Sequence, residues 1–265
     1  MSNSDDRRVL APARLEVLAP SSFPMVERGD ALDKAIRETL TRNALSLTDG
    51  DVVVLAQKIV SKAEGRLLDL ATVIPSSEAE RLAAICGKDP RLVEAILSES
   101  TDVVRCKPGV IIVRHKRGWV LANAGIDHSN ITQNDSAEHV LLLPQDPDAS
   151  ASALRESLTG YFNITIGVMI IDSFGRAWRL GTCGTCIGAA GLATVQDLRG
   201  RRDLTGGILQ SSILGYGDEL AAAASLLMGQ AAEGRPMVII RGLNLGTDQG
   251  QGSDLIRPRE EDLFS

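Results

Sequence analysis

Three short apolar runs set the strongest limit on what this chain can fold into: Val52-Val53-Val54-Leu55, Ile164 to Ile171, and Met237 to Arg241. Each is of strand length, and the first offers no polar side chain to either side, as a strand buried on both faces requires. None approaches the roughly 18 residues that a membrane span needs. A sheet of this kind must be covered by helices, and helical spacing is present. It predicts helices over Asp30 to Arg42 with Asp30 as N-cap, Ser76 to Lys88, Asp89 to Ser100, Asp148 to Leu158 and Asp218 to Ala232. The second opens Ser-Ser-Glu-Ala-Glu, resembling a capping box, and the third places Pro90 at a first helical position. Further strands are expected at Arg14 to Ala19, Val103 to Val104, Val110 to Arg114, Trp119 to Asn123 and Val140 to Leu143. Gly181 to Gly191 is rich in small residues and favours neither helix nor strand.

Strands and helices mix without strict β-α-β alternation, which predicts an α+β fold rather than a doubly wound sheet. Residues 1–12 are polar and charged and are expected to be a flexible N-terminus. Residues 13–245 form the expected folded domain, with a boundary expected between Gly65 and Val103, where a helical pair interrupts the strands. Residues 246–265 are read as a C-terminal tail whose first part, to Ser253, is Gly/Gln/Ser-rich.

Charge and cysteine content narrow the function classes. The net charge is −6, and no basic stripe of the nucleic-acid-binding kind is present. Arg199, Arg201 and Arg202 lie beside Asp197 and Asp203 and read as a solvated loop, with an anion site as the alternative. Aromatics are only 3% of the chain, so aliphatic side chains must fill the core. Four cysteines are too few for a disulfide scaffold. With no hydrophobic leader in MSNSDDRRVL, a reducing cytoplasm is the expectation.

No GxxxxGK[ST] loop, no GxGxxG opening a helix after a strand, and no HExxH is present, so a bound nucleotide would be held without the common motifs. Asp172 is expected at the end of a buried strand, entering Ser173-Phe174-Gly175, a placement that suits either a metal ligand or a turn-capping carboxylate. Asp127 lies in the polar loop Asn123-Ala124-Gly125-Ile126-Asp127-His128-Ser129-Asn130, with the same two readings. Lys58 and Lys62 directly follow the first buried strand, where ligands often bind. Cys183-Gly-Thr-Cys186 has CxxC spacing, but no second ligand pair accompanies it, which disfavours zinc.

Eight segments together resemble one family, the F420-0:gamma-glutamyl ligases. They are residues 50–65 (GDVVVLAQKIVSKAEG), 88–92 (KDPRL), 123–130 (NAGIDHSN), 172–176 (DSFGR), 188–192 (GAAGL), 198–204 (LRGRRDL), 218–230 (DELAAAASLLMGQ) and 257–264 (RPREEDLF). The resemblance implies a two-lobed α+β fold, an intertwined homodimer, GTP, a divalent cation (Mg²⁺ or Mn²⁺) and a monovalent cation such as K⁺. The reaction it implies joins a deazaflavin acid to L-glutamate through an acyl phosphate, with no nucleic-acid or membrane partner. It assigns Asp127, Asp172, Ser173 and Gln230 as metal ligands. It assigns Gln57, Lys58, Lys62, Asn130, Phe23, Pro24, Met25, Val26 and the stretch around Met228, Gly229 and Gln230 as nucleotide contacts. Asp127, Asp172 and Lys62 are its catalytic group.

The chain departs from the family pattern at Leu180 to Cys186, Leu204 to Gly207, Ser211 to Ile213 and Gly215 to Gly217. The expectation is that phosphoryl-transfer residues are kept while Thr182 to Cys186 line an altered substrate pocket. The competing readings are the same ligase chemistry on another acid or amine, and a nucleotide-binding module without turnover.

Overall fold

The computed structural model describes residues 13–127, 138–246 and 249–262. The expected flexible terminus over residues 1–12, and Asn130, lie outside these. In chain order the elements are β1 (Glu16–Leu18), α1 (Leu32–Arg42), β2 (Val52–Ala56), α2 (Gln57–Ala63), β3 (Leu67–Asp69), α3 (Ser77–Cys86) and α4 (Pro90–Ser98). Then follow β4 (Ser100–Lys107), β5 (Val110–His115), β6 (Val120–Ala122), β7 (His139–Leu141), α5 (Pro147–Phe162), β8 (Gly167–Gly175) and β9 (Thr182–Ala190). The last are β10 (Gln196–Asp197), β11 (Ile213–Leu214), α6 (Tyr216–Met228) and β12 (Met237–Arg241).

The three apolar runs become neighbours. The main sheet has the order β1-β12-β2-β8-β9, with β2 and β8 parallel and the other pairs antiparallel. Val52, Val53, Val54 and Leu55 are fully buried, because β2 sits in the middle with helices on both faces. Val53, Leu55, Val168, Ile170, Met237 and Ile239 face α1 and α5, while Val52, Val54, Met169, Val238 and Ile240 face α6. A separate sheet, β4-β5-β6, packs on α3 and α4 around Leu82, Val93, Ile96, Ile111 and Val113. The helical pair thus lies where the strand pattern is interrupted, and the mixture of separate sheets and helices agrees with an α+β chain.

Four local readings are corrected. Asp30 does not cap α1; its carboxylate accepts the Glu27 N–H at 2.8 Å, and Ala31 stands at the cap without a side-chain bond. α6 stops at Met228 because Gly229, at φ 72°, turns the chain. β8 runs past Asp172 to Gly175, so Asp172 sits within the strand. The Gly-rich stretch forms β9, a strand that propensity does not favour. Its small residues are needed because two helices press on it. A methyl on Gly184 would stand 2.3 Å from the Ala221 carbonyl oxygen of α6, and one on Gly188 2.4 Å from the Pro147 backbone of α5. The register shift between Ile170 and Ile171 marks a bulge that inserts one extra β9 residue.

Candidate active site

The site forms where β2 ends alongside β8, which runs on for four more residues to Gly175. β2 passes into α2 with no intervening loop, so Lys58 stands in the first turn of the helix, beside β8. Lys62 is one turn further on the same helix face. Burial, and then the like charge of Lys58, hold the Lys62 ammonium below its ordinary range. Gln57 is buried, and its amide oxygen accepts the Ser61 hydroxyl at 2.9 Å, which fixes the side chain.

Asp127 is delivered by a strained loop. Asn123 and Ala124 both have φ 54° and Gly125 has φ 71°, three left-handed residues in succession. Such a conformation costs about 1–3 kcal/mol for each non-glycine residue. Gly125 is required on a second count, since a β-carbon there would come within 2.6 Å of Leu143. Two backbone bonds to Leu141, of 3.0 and 2.8 Å, then clamp Asp127 to β7. Its carboxylate meets Lys58 Nζ at 2.6 Å.

Asp172 shares a sheet face with Ile170 and Phe174. Its carboxyl is pushed up to about 6, mainly by burial, with the charge of Asp127 adding to the effect; the Ser173 N–H, at 2.8 Å, and Lys58 oppose it. The two aspartates are therefore electrostatic neighbours that share one ammonium group.

A cavity of about 440 Å³ opens at this point. Phe23, Pro24, Met25, Val26, Gln57, Lys58, Lys62, Asp172, Ser173, Met228, Gly229 and Gln230 all line it. Asp127 is not in its wall and reaches it through Lys58. Asn130 lies outside the described residues. Ser225, Arg235 and Pro236 also line the cavity and were not read from the sequence. Ser225 is placed there by the last turn of α6, and Arg235 and Pro236 by the α6 to β12 connection, where the Pro236 carbonyl accepts the Ala56 N–H at 2.8 Å.

The donor set suits a hard cation. Two neighbouring carboxylates, a hydroxyl and an amide oxygen are the ligand types of Mg²⁺ and Mn²⁺, and a bound cation would offset the burial that raises the Asp172 carboxyl. Among the described residues no three His, Cys, Asp or Glu side chains converge as a closed metal cage. The CxxC pair does not take part. Cys186 is buried in β9, and burial, then Asp218 and Asp148, push its thiol up, the opposite of a reactive thiolate.

Sequence comparison adds an independent line. Residues 21–242 match the family described as F420-0:Gamma-glutamyl ligase. A Methanothermobacter thermautotrophicus protein named coenzyme F420:L-glutamate ligase is 42% identical over 252 residues, covering 94% of this chain and 98% of the relative. A protein of the same name from Methanopyrus kandleri is 43% identical over 243 residues, covering 90% and 93%. Another, from Haloarcula marismortui, is 38% identical over 255 residues, covering 94% and 95%.

Proposed function

Because the chain belongs to the F420-0:gamma-glutamyl ligase family, we propose that it is a GTP-dependent ligase joining the carboxylate of a deazaflavin cofactor precursor to the amine of L-glutamate. A carboxylate resists direct attack by an amine because its oxygen is a poor leaving group. Transfer of the γ-phosphoryl group from GTP to that oxygen gives an acyl phosphate and GDP. The glutamate nitrogen then attacks the acyl carbon, inorganic phosphate leaves with the C–O electron pair, and the amine loses a proton as the amide forms.

Phosphoryl transfer is chiefly a problem of positioning and charge. Lys58 and Lys62 place two ammonium groups in the cavity wall, where they can bind phosphate oxygens. The Phe23 to Val26 stretch and the segment from Met228 to Gly234 form the opposite walls, suited to holding a base and ribose. Asp127, Asp172, Ser173 and Gln230 would hold a divalent cation, which supplies further neutralisation of the phosphate charge. Asp127 also fixes Lys58 through their 2.6 Å ion pair. The single observation that supports the reading is the meeting of Lys58, Lys62 and Asp172 on one cavity formed by separate parts of the chain, with Asp127 joined to it through its ion pair with Lys58.

The test is direct. Incubation with GTP, Mn²⁺, L-glutamate and the unglutamylated deazaflavin acid is expected to release phosphate and to give a product heavier by one glutamyl residue in mass spectrometry. GTP binding without phosphate release in the complete mixture would reject the ligase and leave a nucleotide-binding module. A homodimer is part of the proposal, supported by the β8–β9 hairpin, whose Trp178 and Leu180 are 90% and 99% exposed. A monomeric mass by light scattering at micromolar concentration would reject that part.

A further inference from the structure

A second cavity, of about 300 Å³, lies next to the first and has no part in the nucleotide reading. Its position follows from strand register. Thr185 is the cross-strand partner of Asp172 in the β8–β9 ladder, and Phe174 lies two residues beyond Asp172, so all three side chains project from one face of the sheet. Thr185 and Phe174 are walls of the second cavity, while Asp172 is a wall of the first. Paired Cα atoms in such a ladder are about 4.5–5.5 Å apart. The second cavity therefore begins one residue from the carboxylate pair.

Its charges identify its occupant. Arg114 and Asp262 neutralise each other at 3.2 Å. That leaves Asp218 and Arg257, neither of which forms an ion pair among the described residues. Asp218 is held in place by the Cys186 N–H, which donates to one of its oxygens at 2.9 Å, and burial pushes its carboxyl up. The cavity thus offers one uncompensated anion and one uncompensated cation, the complement of a zwitterion. Its rings are already engaged. Trp119, 8% exposed, packs against His115 at 5.2 Å and edge-on against Phe174 at 6.4 Å, which holds both rings in place as apolar walls of the cavity.

We infer that this cavity is the amine-substrate site, taking a free α-amino acid whose ammonium group is held by Asp218 and whose carboxylate is held by Arg257. The inference rests on the ligase reading for the identity of that amino acid as L-glutamate. Thr185 and Cys186 belong to the stretch that departs from the family pattern, so the amino-acid side of the site is also where this chain differs.

The test is calorimetric titration of L-glutamate into the wild-type chain, Asp218→Asn and Arg257→Ala. Asp218→Asn keeps a carbonyl oxygen for the Cys186 N–H, and thermal melting checks that both variants are folded. Both are expected to weaken L-glutamate binding at least tenfold while binding a fluorescent GTP analogue within twofold of wild type. Glutarate, which lacks the ammonium group, is expected to bind the wild type at least tenfold more weakly than L-glutamate. The inference is overturned if the wild type does not bind L-glutamate, if either variant binds it unchanged, if glutarate binds equally well, or if the variants lose the deazaflavin acid instead. Failure of the ligase reading would look different: no phosphate release from GTP, with L-glutamate binding and its loss in the variants intact.

Discussion

The two ends of β2 carry charged clusters of opposite character. Before the strand, Asp51 is fully buried, and both its oxygens are taken by Arg241, at 2.9 and 2.8 Å, with the Thr48 N–H as a further donor at 2.8 Å. The fork is satisfied, and the guanidinium is held above its ordinary range by that hydrogen bonding. After the strand, Lys58 lies 2.6 Å from Asp127 and also acts on Asp172, whose carboxyl is pushed up to about 6 mainly by burial, while burial and then Lys58 hold the Lys62 ammonium low. One end has every charge matched and ties the sheet together. The other brings two carboxylates and two lysines together in a place where burial is the first cause of a raised carboxyl and a lowered ammonium, the kind of perturbation that clusters at ligand sites.

The contrast can be broken at either end. The largest effect is expected from Asp172→Asn, which should lower turnover roughly ten-thousandfold, on the scale of losing a key charged group in phosphoryl transfer, while leaving the melting temperature at or above that of the wild type. A large fall in stability without selective loss of turnover would place Asp172 with the structural ions. Arg241→Met should do the reverse. It strands a buried carboxylate, so chemical denaturation should show a loss of about 3–5 kcal/mol, with kcat near wild type in the protein that remains folded.

A smaller effect sharpens the comparison through pH. The folded chain holds a proton on Asp172 between its ordinary value of 3.8 and about 6, where the unfolded chain has released it. This group therefore favours folding below about pH 4, and its contribution is lost as the pH rises through 6. By pH 7 the difference from the low-pH limit should be about 3 kcal/mol relative to Asp172→Asn. Melting curves from pH 4 to 7 that run parallel for the two proteins would contradict the raised carboxyl. Added Mn²⁺ and GTP should restore more stability at pH 7 than at pH 5, because cation and proton compete for the same oxygens. The smallest effect is expected from Lys62→Ala, which should raise KM for GTP roughly tenfold through loss of one charge-assisted contact, with a lesser change in kcat.

Much of the frame was legible in the residues themselves. The β2 run and β12 lie where continuous apolar sequence places them, and α4 begins at Pro90 with Asp89 accepting the Arg91 N–H at 2.8 Å, as its opening signals indicate. The strand β9 was not legible, because its glycines reflect the approach of α5 and α6 and not any preference of their own. The amino-acid cavity was hidden for a related reason. Asp218 and Arg257 read singly as an acidic residue in a first helical turn and a tail arginine. Tertiary contacts bring the C-terminal segment back against β9 and α6, among them the Asp148 carboxylate, which accepts the Ala189 and Gly252 N–H groups at 2.9 and 2.6 Å, and the Thr194 hydroxyl, which donates to the Gln251 carbonyl at 2.8 Å.

Sequence alone determined which segments must be buried and, through its resemblance, the family, since periodicity, side-chain chemistry and family likeness are properties of the chain itself. Tertiary structure decided which residues meet. β7 clamps the strained 123–125 turn so that Asp127 meets Lys58, and the parallel pairing of β2 with β8 brings Asp172 beside the same lysine. Ionic interactions and substrate pockets depend on distances of a few ångströms between residues far apart in sequence, and packing fixes those distances where composition does not.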